Sequence, residues 1–296
     1  MMSTAAPPAK RPARRFQRPT VSKIFLTALS WALFVLIVMG PLLTVVAFSF
    51  SSSVFGGRTV ATGAWYIRLF TEPGLLTPLL RSFEIAIIVV LVQLVLGTLI
   101  AYGTGRRQIY GAKIMDALSN ITIALPSVVI GLALLAFYGP FGPINAFAEF
   151  AFSRPFALTW TLWIIVGAHL LETFPYMVRS VGAVLHRMDP HLETAARTLG
   201  ASRWIVFRTI TLPQLRPGLV AGSVLTFSRS IAEFGATVIV VSAVLRTAPI
   251  SIFSDAEAGS LELASAYSVV LMLVSFVLYF VISRWLLQVE HEPVPF

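Results

Sequence analysis

The chain has 296 residues, 57% of them hydrophobic and 12% charged, with a formal net charge of +9, and its mean hydropathy is +0.84. So apolar a composition excludes an ordinary soluble enzyme and places the chain among integral membrane proteins. The absence of cysteine removes disulfides, thiolate metal sites, iron–sulfur ligation and a cysteine nucleophile, while a nucleic-acid role would need a folded basic surface in water that so apolar a chain scarcely provides.

Residues 1–23 are rich in Pro and Arg and carry Lys10, Arg11, Arg14, Arg15, Arg18 and Lys23 without an acid. With nothing to bury they read as a disordered basic tail that sets topology and touches anionic lipid headgroups. Six stretches then meet or approach the roughly 20 apolar residues needed to cross the hydrocarbon core. They are Ile24–Phe50, Ser82–Tyr102, Ile121–Tyr138, Ala157–Tyr176, Pro217–Val241 and Ala264–Leu287. The first is too long for a cleaved signal segment and reads as a retained helix. Pro41, Pro126 and Pro175 fall within or at the ends of three of them and predict kinks without breaks.

Lys and Arg cluster in alternate connections. Arg106, Arg107 and Lys113 follow the second span, and Arg179, Arg187, Arg197, Arg203, Arg208 and Arg216 lie around the connection from the fourth to the fifth. The opposite loops hold Arg58, Arg68 and Arg81, then Arg154, then Arg246 against Asp255, Glu257 and Glu262. The enrichment of basic residues in cytoplasmic loops therefore puts both termini, including residues 290–296, inside the cell. The expected fold is an all-α membrane protein of six spans over 24–289.

Between the fourth and fifth spans lies a cytoplasmic stretch, residues 177–216, longer than a helical bundle needs. Asp189 followed by Pro190 is an N-cap with proline at the first helical position, and Gly200 offers a left-handed stop, which predicts a short helix over Pro190–Leu199. Leu192, Ala195, Ala196 and Leu199 form one apolar stripe on it. Ser202 is placed to cap a second short helix carrying Trp204, Phe207 and Ile210 and closed before Pro213. Periodicity alone describes an amphipathic pair resting on the membrane surface.

Thr194-Ala195-Ala196, three residues, Gly200, nine residues, then Ile210-Thr211-Leu212-Pro213 resembles the EAA loop of permeases of bacterial ATP-binding-cassette importers, whose pattern is Glu-Ala-Ala, three, Gly, nine, Ile-x-Leu-Pro. Thr194 stands where that family has Glu, with Glu193 immediately before it. The resemblance extends over roughly residues 80–285 and implies a type I importer permease whose coupling helix docks on an ATPase subunit. The implied docking residues are Glu193, Thr194, Ala195, Ala196, Gly200, Ile210, Leu212 and Pro213. The implied partners are a pair of ATPase subunits, a second permease chain identical or related to this one, and a periplasmic solute-binding protein, in the bacterial inner membrane.

Shorter resemblances bear on the solute. Ser228–Thr237 is similar to the fifth-helix signature of sulfate and molybdate permeases. Thr161–Ile165 with Ala168-His169, and Ala248–Ser254, are similar to permeases for 2-aminoethylphosphonate. The resulting expectation is a phosphonate such as 2-aminoethylphosphonate, with sulfate, thiosulfate or molybdate as the alternative.

Arg229 lies about 18 Å along its helix, near the bilayer midplane, and Glu233 follows one turn later on what reads as the same face. Ionisable residues at that depth face the bundle interior or a wet path, so both are candidates for the translocation path, Arg229 offering a fork to oxyanions. The competing reading is an ion pair that only holds helices together. His169 and Glu172 share a face of the fourth span and read as a satisfied polar contact more readily than as a proton relay.

No G-x-x-x-x-G-K-[ST] motif occurs, so ATP would be bound by a partner subunit and the chain itself holds no cofactor or metal. A secondary transporter is disfavoured because no interrupted helix is read near the midplane, and a membrane enzyme because no cluster of acid–base or metal-binding residues is found.

Overall fold

The computed structural model describes residues 21–53, 60–106, 109–154, 158, 160–242 and 244–289. Among these residues the secondary structure is helical apart from one isolated bridge between Ser51 and Ala61. Residues 1–20 of the expected basic tail over 1–23, Arg58, Arg107 and the C-terminal tail from 290 lie outside the described residues, and Val21–Lys23 belong to the first helix. The helices run in the order α1 Val21–Phe34, α2 Gly40–Ser49, α3 Ala64–Thr71, α4 Thr77–Gly105, α5 Ala112–Ala124, α6 Ser127–Tyr138 and α7 Pro143–Phe152. They continue with α8 Leu162–Arg187, α9 Pro190–Thr198, α10 Arg203–Val206, α11 Leu212–Ile231, α12 Thr237–Val240, α13 Ala248–Glu257 and α14 Leu261–Val289.

Among the described residues four segments are long and apolar enough to cross a membrane: Ser22–Ser49, Thr77–Gly105, Ser127–Phe152 and Leu261–Val281. The fourth and fifth expected spans correspond to α8, of 26 residues, and α11, of 20. Both have the length. Both also carry charge, Glu172, Arg179 and Arg187 on one and Arg216 and Arg229 on the other, which lowers their apolarity.

The chain divides into two units, residues 1–45 and 46–296. In the first, α1 runs into a π turn, Val35–Met39, in which the Gly40 N–H reaches back to the Val35 carbonyl, and Pro41 follows. The same device recurs in the second unit. A π turn at Phe207–Thr211 gives the Leu212 N–H to the Phe207 carbonyl, and Pro213 follows. A proline ring collides with the carbonyl four residues back and lacks the N–H that would bond it; the wider π turn moves that carbonyl aside. The helix from Arg203 therefore passes through Pro213 instead of closing before it, so the expected second short helix is the first turn of a long one.

Pro126 behaves differently. Leu125 and Pro126 are both extended, at ψ 137 and 134, so the third expected span is broken into α5 and α6, not kinked. The residue before a proline is pushed out of the helical region, and no π turn relieves it here. Pro175 stays inside α8.

Within the second unit α8 is the hub, packed along α4 and α11 and touching α5, α6 and α12. Two of its contacts depend on glycine. A Cβ at Gly97 of α4 would lie 2.6 Å from Met177 Cγ, and one at Gly222 of α11 would lie 2.6 Å from Met177 Sδ, so one fully buried methionine fills the seam among three helices. Small residues allow such approach where the hydrophobic effect between helices is absent. Around this seam lie Ala101, Val178, Val181, Leu185 and Leu215. A second cluster joins Ile85, Val89, Ile130, Leu134, Ile165 and Val240. A third, around Tyr267, sets α14 against Leu69 of α3 and Leu79 of α4.

Gly131 in α6 meets backbone: a Cβ there would stand 2.5 Å from the Ala236 carbonyl oxygen, whereas one at Gly167 in α8 would meet nothing within 4 Å. Gly131→Ala is expected to lower stability by about 1–3 kcal/mol, the range for overpacking, and Gly167→Ala to leave it unchanged or slightly raised. Thermal unfolding midpoints of the two variants in one detergent check this; equal midpoints would mean that the α6 contact with residue 236 is not close.

Candidate functional site

The fifth expected span does not run unbroken. Its helix ends at Ile231, Ala232 turns out of it at φ −95 and ψ 1, and α12 begins only at Thr237. Glu233 therefore does not stand one turn beyond Arg229 on a helix face. It lies in the break, buried, where its carboxylate accepts the N–H of Ala236 at 2.8 Å and of Thr237 at 3.0 Å, and also the Thr237 hydroxyl proton. Backbone donors freed in a membrane cost several kcal/mol each if left bare, and this side chain answers two of them. Gly235 permits the turn, because a Cβ there would stand 2.7 Å from Ser127 Cβ. Together with the break at Leu125–Pro126, this gives interrupted helices, contrary to the expectation of none.

His169, fully buried in α8, bridges the break. Its Nδ1 lies 2.8 Å from Ser230 Oγ and its Nε2 3.0 Å from Thr237 Oγ1. Because Thr237 gives its proton to Glu233, Thr237 must accept from His169, which assigns the Nε2–H tautomer and makes Nδ1 the acceptor of the Ser230 hydroxyl. The result is one directed chain from Ser230 through His169 and Thr237 to Glu233. It ties α8 to both sides of the break, as the reading of His169 as a satisfied polar contact anticipates.

Arg229 pairs with Glu172 of α8, Nη2 to Oε1 at 2.5 Å, and the same oxygen accepts from Ser127 Oγ at 3.2 Å. This pair stands in place of the Arg229–Glu233 pair of the competing reading. Glu172 is buried, yet the Arg229 side chain is 44% exposed, so one face of its guanidinium opens to the surface of the chain. The second carboxylate oxygen, Oε2 of Glu172, is buried without a hydrogen-bond partner among the described residues. Ser127 was not singled out from the sequence, and Ser230 and Thr237 were read only as part of the Ser228–Thr237 resemblance, with no role of their own.

At the other end of α11 the first short helix of the loop forms with the expected caps. Asp189 accepts the His191 N–H at 2.9 Å, Pro190 opens α9, and Gly200 adopts φ +87, a conformation that suits glycine. Ser202 accepts the Ile205 N–H at 3.4 Å. Thr194 and Ala195 are exposed, Ala196 half-buried, and the apolar side chains of the stripe stand outward, Leu192 48% and Leu199 88% exposed. Glu193 turns the opposite way. It takes Arg106 Nη2 at 3.3 Å and Thr211 Oγ1 at 2.9 Å on one oxygen, bracing α9 to the end of α4 and to the π turn. Ile210 and Leu212 are half-buried and Pro213 exposed in the helix that follows. Arg106 stands 87 positions from Glu193, so no local pattern announces the brace.

His169→Leu strands the Ser230 hydroxyl and removes the donor to Thr237. At about 1–3 kcal/mol per unsatisfied buried group, it is expected to destabilise the folded chain by roughly 2–4 kcal/mol, seen as a lower unfolding midpoint in detergent, while His186→Leu, at an exposed position, leaves the midpoint in place. An unchanged midpoint for His169→Leu would remove the directed chain.

Residues 93–289 match the family model described as binding-protein-dependent transport system inner membrane component. The chain is 35% identical over 216 residues to the molybdenum transport system permease protein ModB of Escherichia coli, covering 72% of this chain and 93% of that protein. It is 32% identical over 224 residues to the sulfate transport system permease protein CysT of the same organism, covering 74% and 79%. A putative molybdenum transport system permease protein of Bacillus subtilis is 32% identical over 211 residues, covering 70% and 92%. Among solved structures, a chain of a bacterial alginate ABC transporter in complex with an alginate-bound periplasmic protein superposes with a TM-score of 0.73 at 16% identity, over 93% of this chain and 96% of that one. A chain of the MetNI methionine ABC transporter gives 0.56 at 14% identity, over 74% and 99%. An exposed, capped loop helix braced to a bundle of apolar helices thus occurs in a chain that belongs to the inner-membrane permeases of ABC importers.

Proposed function

We propose that the chain is one permease half of an ATP-driven importer for a small oxyanion of the molybdate or sulfate class. Its energy comes from two ATPase subunits that dock on α9; of the expected loop over 177–216, residues 177–187 are the end of α8 and 212–216 the start of α11, so the exposed part between them is the docking segment. A second permease chain completes the path, a periplasmic binding protein delivers the solute, and both termini lie in the cytoplasm. The observation that carries the reading is the outward apolar face of α9, Leu192 and Leu199, on a helix whose other face is fixed by Glu193 to Arg106 and Thr211. A groove in a partner covers such a face, and the brace turns displacement of α9 into displacement of α4 and α11. Thr194, Ala195, Ala196 and Gly200 belong to the docking face; Ile210, Leu212 and Pro213 form the root of α11 behind it.

Arg229, with its open face, is the path residue. Glu172 holds the guanidinium and limits how tightly an anion sticks, while Glu233 keeps the break in shape. Curated relatives named for molybdenum and sulfate support an oxyanion. The residues that suggested a phosphonate serve packing: His169 is buried in the bridge, and the Ala248 N–H caps onto Ser82 Oγ at 2.9 Å. The phosphonate is therefore the second choice.

The test is uptake by proteoliposomes holding this chain with its ATPase and binding protein, using molybdate, sulfate and 2-aminoethylphosphonate. The expected result is ATP- and binding-protein-dependent uptake of molybdate or sulfate, abolished by Arg229→Ala. Leu192→Asp with Leu199→Asp is expected to lose uptake while the chain still inserts. Arg106→Gln is expected to lower uptake per ATP roughly tenfold, within the usual 1–3 kcal/mol of coupling between sites. Uptake that continues without ATP would overturn the reading, and uptake of the phosphonate alone would reverse the choice of solute.

A further inference from the structure

Behind α9 lies a cavity of about 310 Å³, lined by Thr98, Leu99 and Tyr102 of α4, Glu193 and Arg197 of α9, and Arg203, Trp204, Val206 and Phe207. Its volume is within the roughly 300–1,000 Å³ of small-molecule sites. Its deep wall is the last turns of an apolar span, Thr77–Gly105, with Leu99 60% exposed beside it. Its outer wall is aromatic: Trp204 stacks on Phe207 at 5.8 Å, and Tyr102 meets the same ring edge-on at 5.7 Å. Its rim carries Arg197 and Arg203, both exposed and neither in an ion pair among the described residues. The one carboxylate present, Glu193, is already matched by Arg106. In the deep wall the Thr98 hydroxyl is buried and has no partner.

An apolar slot that ends in two arginines and a stacked tryptophan where a span leaves the hydrocarbon matches an amphiphile with an anionic head. Tryptophan favours that interfacial depth, and basic pockets between helices take anionic lipid heads. A water-soluble partner docking on α9 from outside would not reach Thr98, which lies two turns inside the end of α4. We propose that this cavity is a binding site for one anionic phospholipid of the adjoining leaflet. Its phosphate lies between Arg197 and Arg203, and an acyl chain runs along Leu99. Because Arg197 sits on α9, the lipid ties the docking helix to the membrane surface. The site stands whether or not the importer reading holds, since its chemistry is that of the membrane interface.

The test uses the full chain in nanodiscs of phosphatidylcholine into which brominated phosphatidylglycerol is titrated, with brominated phosphatidylcholine as the control. The expected result is a saturable quenching of tryptophan fluorescence that favours phosphatidylglycerol, by about fivefold in apparent affinity per arginine. Trp204→Phe removes the saturable component. Arg197→Gln with Arg203→Gln abolishes the preference, and Arg197→Lys with Arg203→Lys restores most of it, which separates charge from fold. Equal quenching by the two brominated lipids, or a preference that survives the double Gln substitution, overturns the proposal. Relief of quenching by millimolar inorganic phosphate would likewise reassign the site to a soluble anion. Transport is not read in any arm, so failure here is distinct from failure of the uptake experiment.

Discussion

Hydrocarbon offers no water to a backbone N–H, and the architecture of this chain follows from how its two interrupted helices meet that constraint. Between Ile231 and Thr237 the obligation falls on a carboxylate. Glu233 accepts two amides and a hydroxyl in a space that Gly131 and Gly235 leave open. A charged group that would be costly in lipid thereby becomes the group that makes the break affordable in structure. His169 then fixes the orientation of the break relative to α8, and Arg229, placed just before it, is turned toward Glu172 and the surface.

The two ends of α11 are treated in opposite ways for related reasons. At its start, a proline is tolerated because a π turn moves the obstructing carbonyl aside, and the helix continues. At its end no proline is present, yet the helix stops because Glu233 offers the following amides a better partner than the preceding turn does. The first device keeps the root of α11 continuous with α10, and the second ends the helix at Ile231 among buried polar side chains.

Local signals were legible in the sequence and long-range ones were not. Asp189-Pro190 and Gly200 fix the limits of α9 through neighbours one to three residues away, and the helix lies where they put it. The inward turn of Glu193 depends on Arg106, far away in the chain, so the spacing that placed Glu193 on the docking face carried no trace of the brace. The break after Ile231 was hidden because apolar residues continue through Val241, and because Arg229 and Glu233 stand four apart, the separation of a helical ion pair. That separation was read as a helix face; in the structure each residue has a partner on a different element. Pro126 was read as a kink from the general tolerance of membrane helices for proline, which holds for Pro41 and Pro213 beside π turns and for Pro175 within α8, whereas at Pro126 the preceding Leu125 is extended and the helix breaks.

The same bonds indicate how force would travel from the loop to the bundle. Thr211, in the π turn, bonds Glu193 of α9, and Ser230, one residue from the other end of α11, bonds His169. The helix α11, twenty residues from Leu212 to Ile231, forms a rod about 30 Å long, pressed to α8 through Gly218 and Gly222 with no slack for a Cβ at either. A packed seam of this kind moves as a body or not at all. Under the proposed function, displacement of α9 would be delivered to the break as a shift of its fixed end, and the element free to respond would be the turn held by Glu233, next to Arg229 with its half-exposed guanidinium.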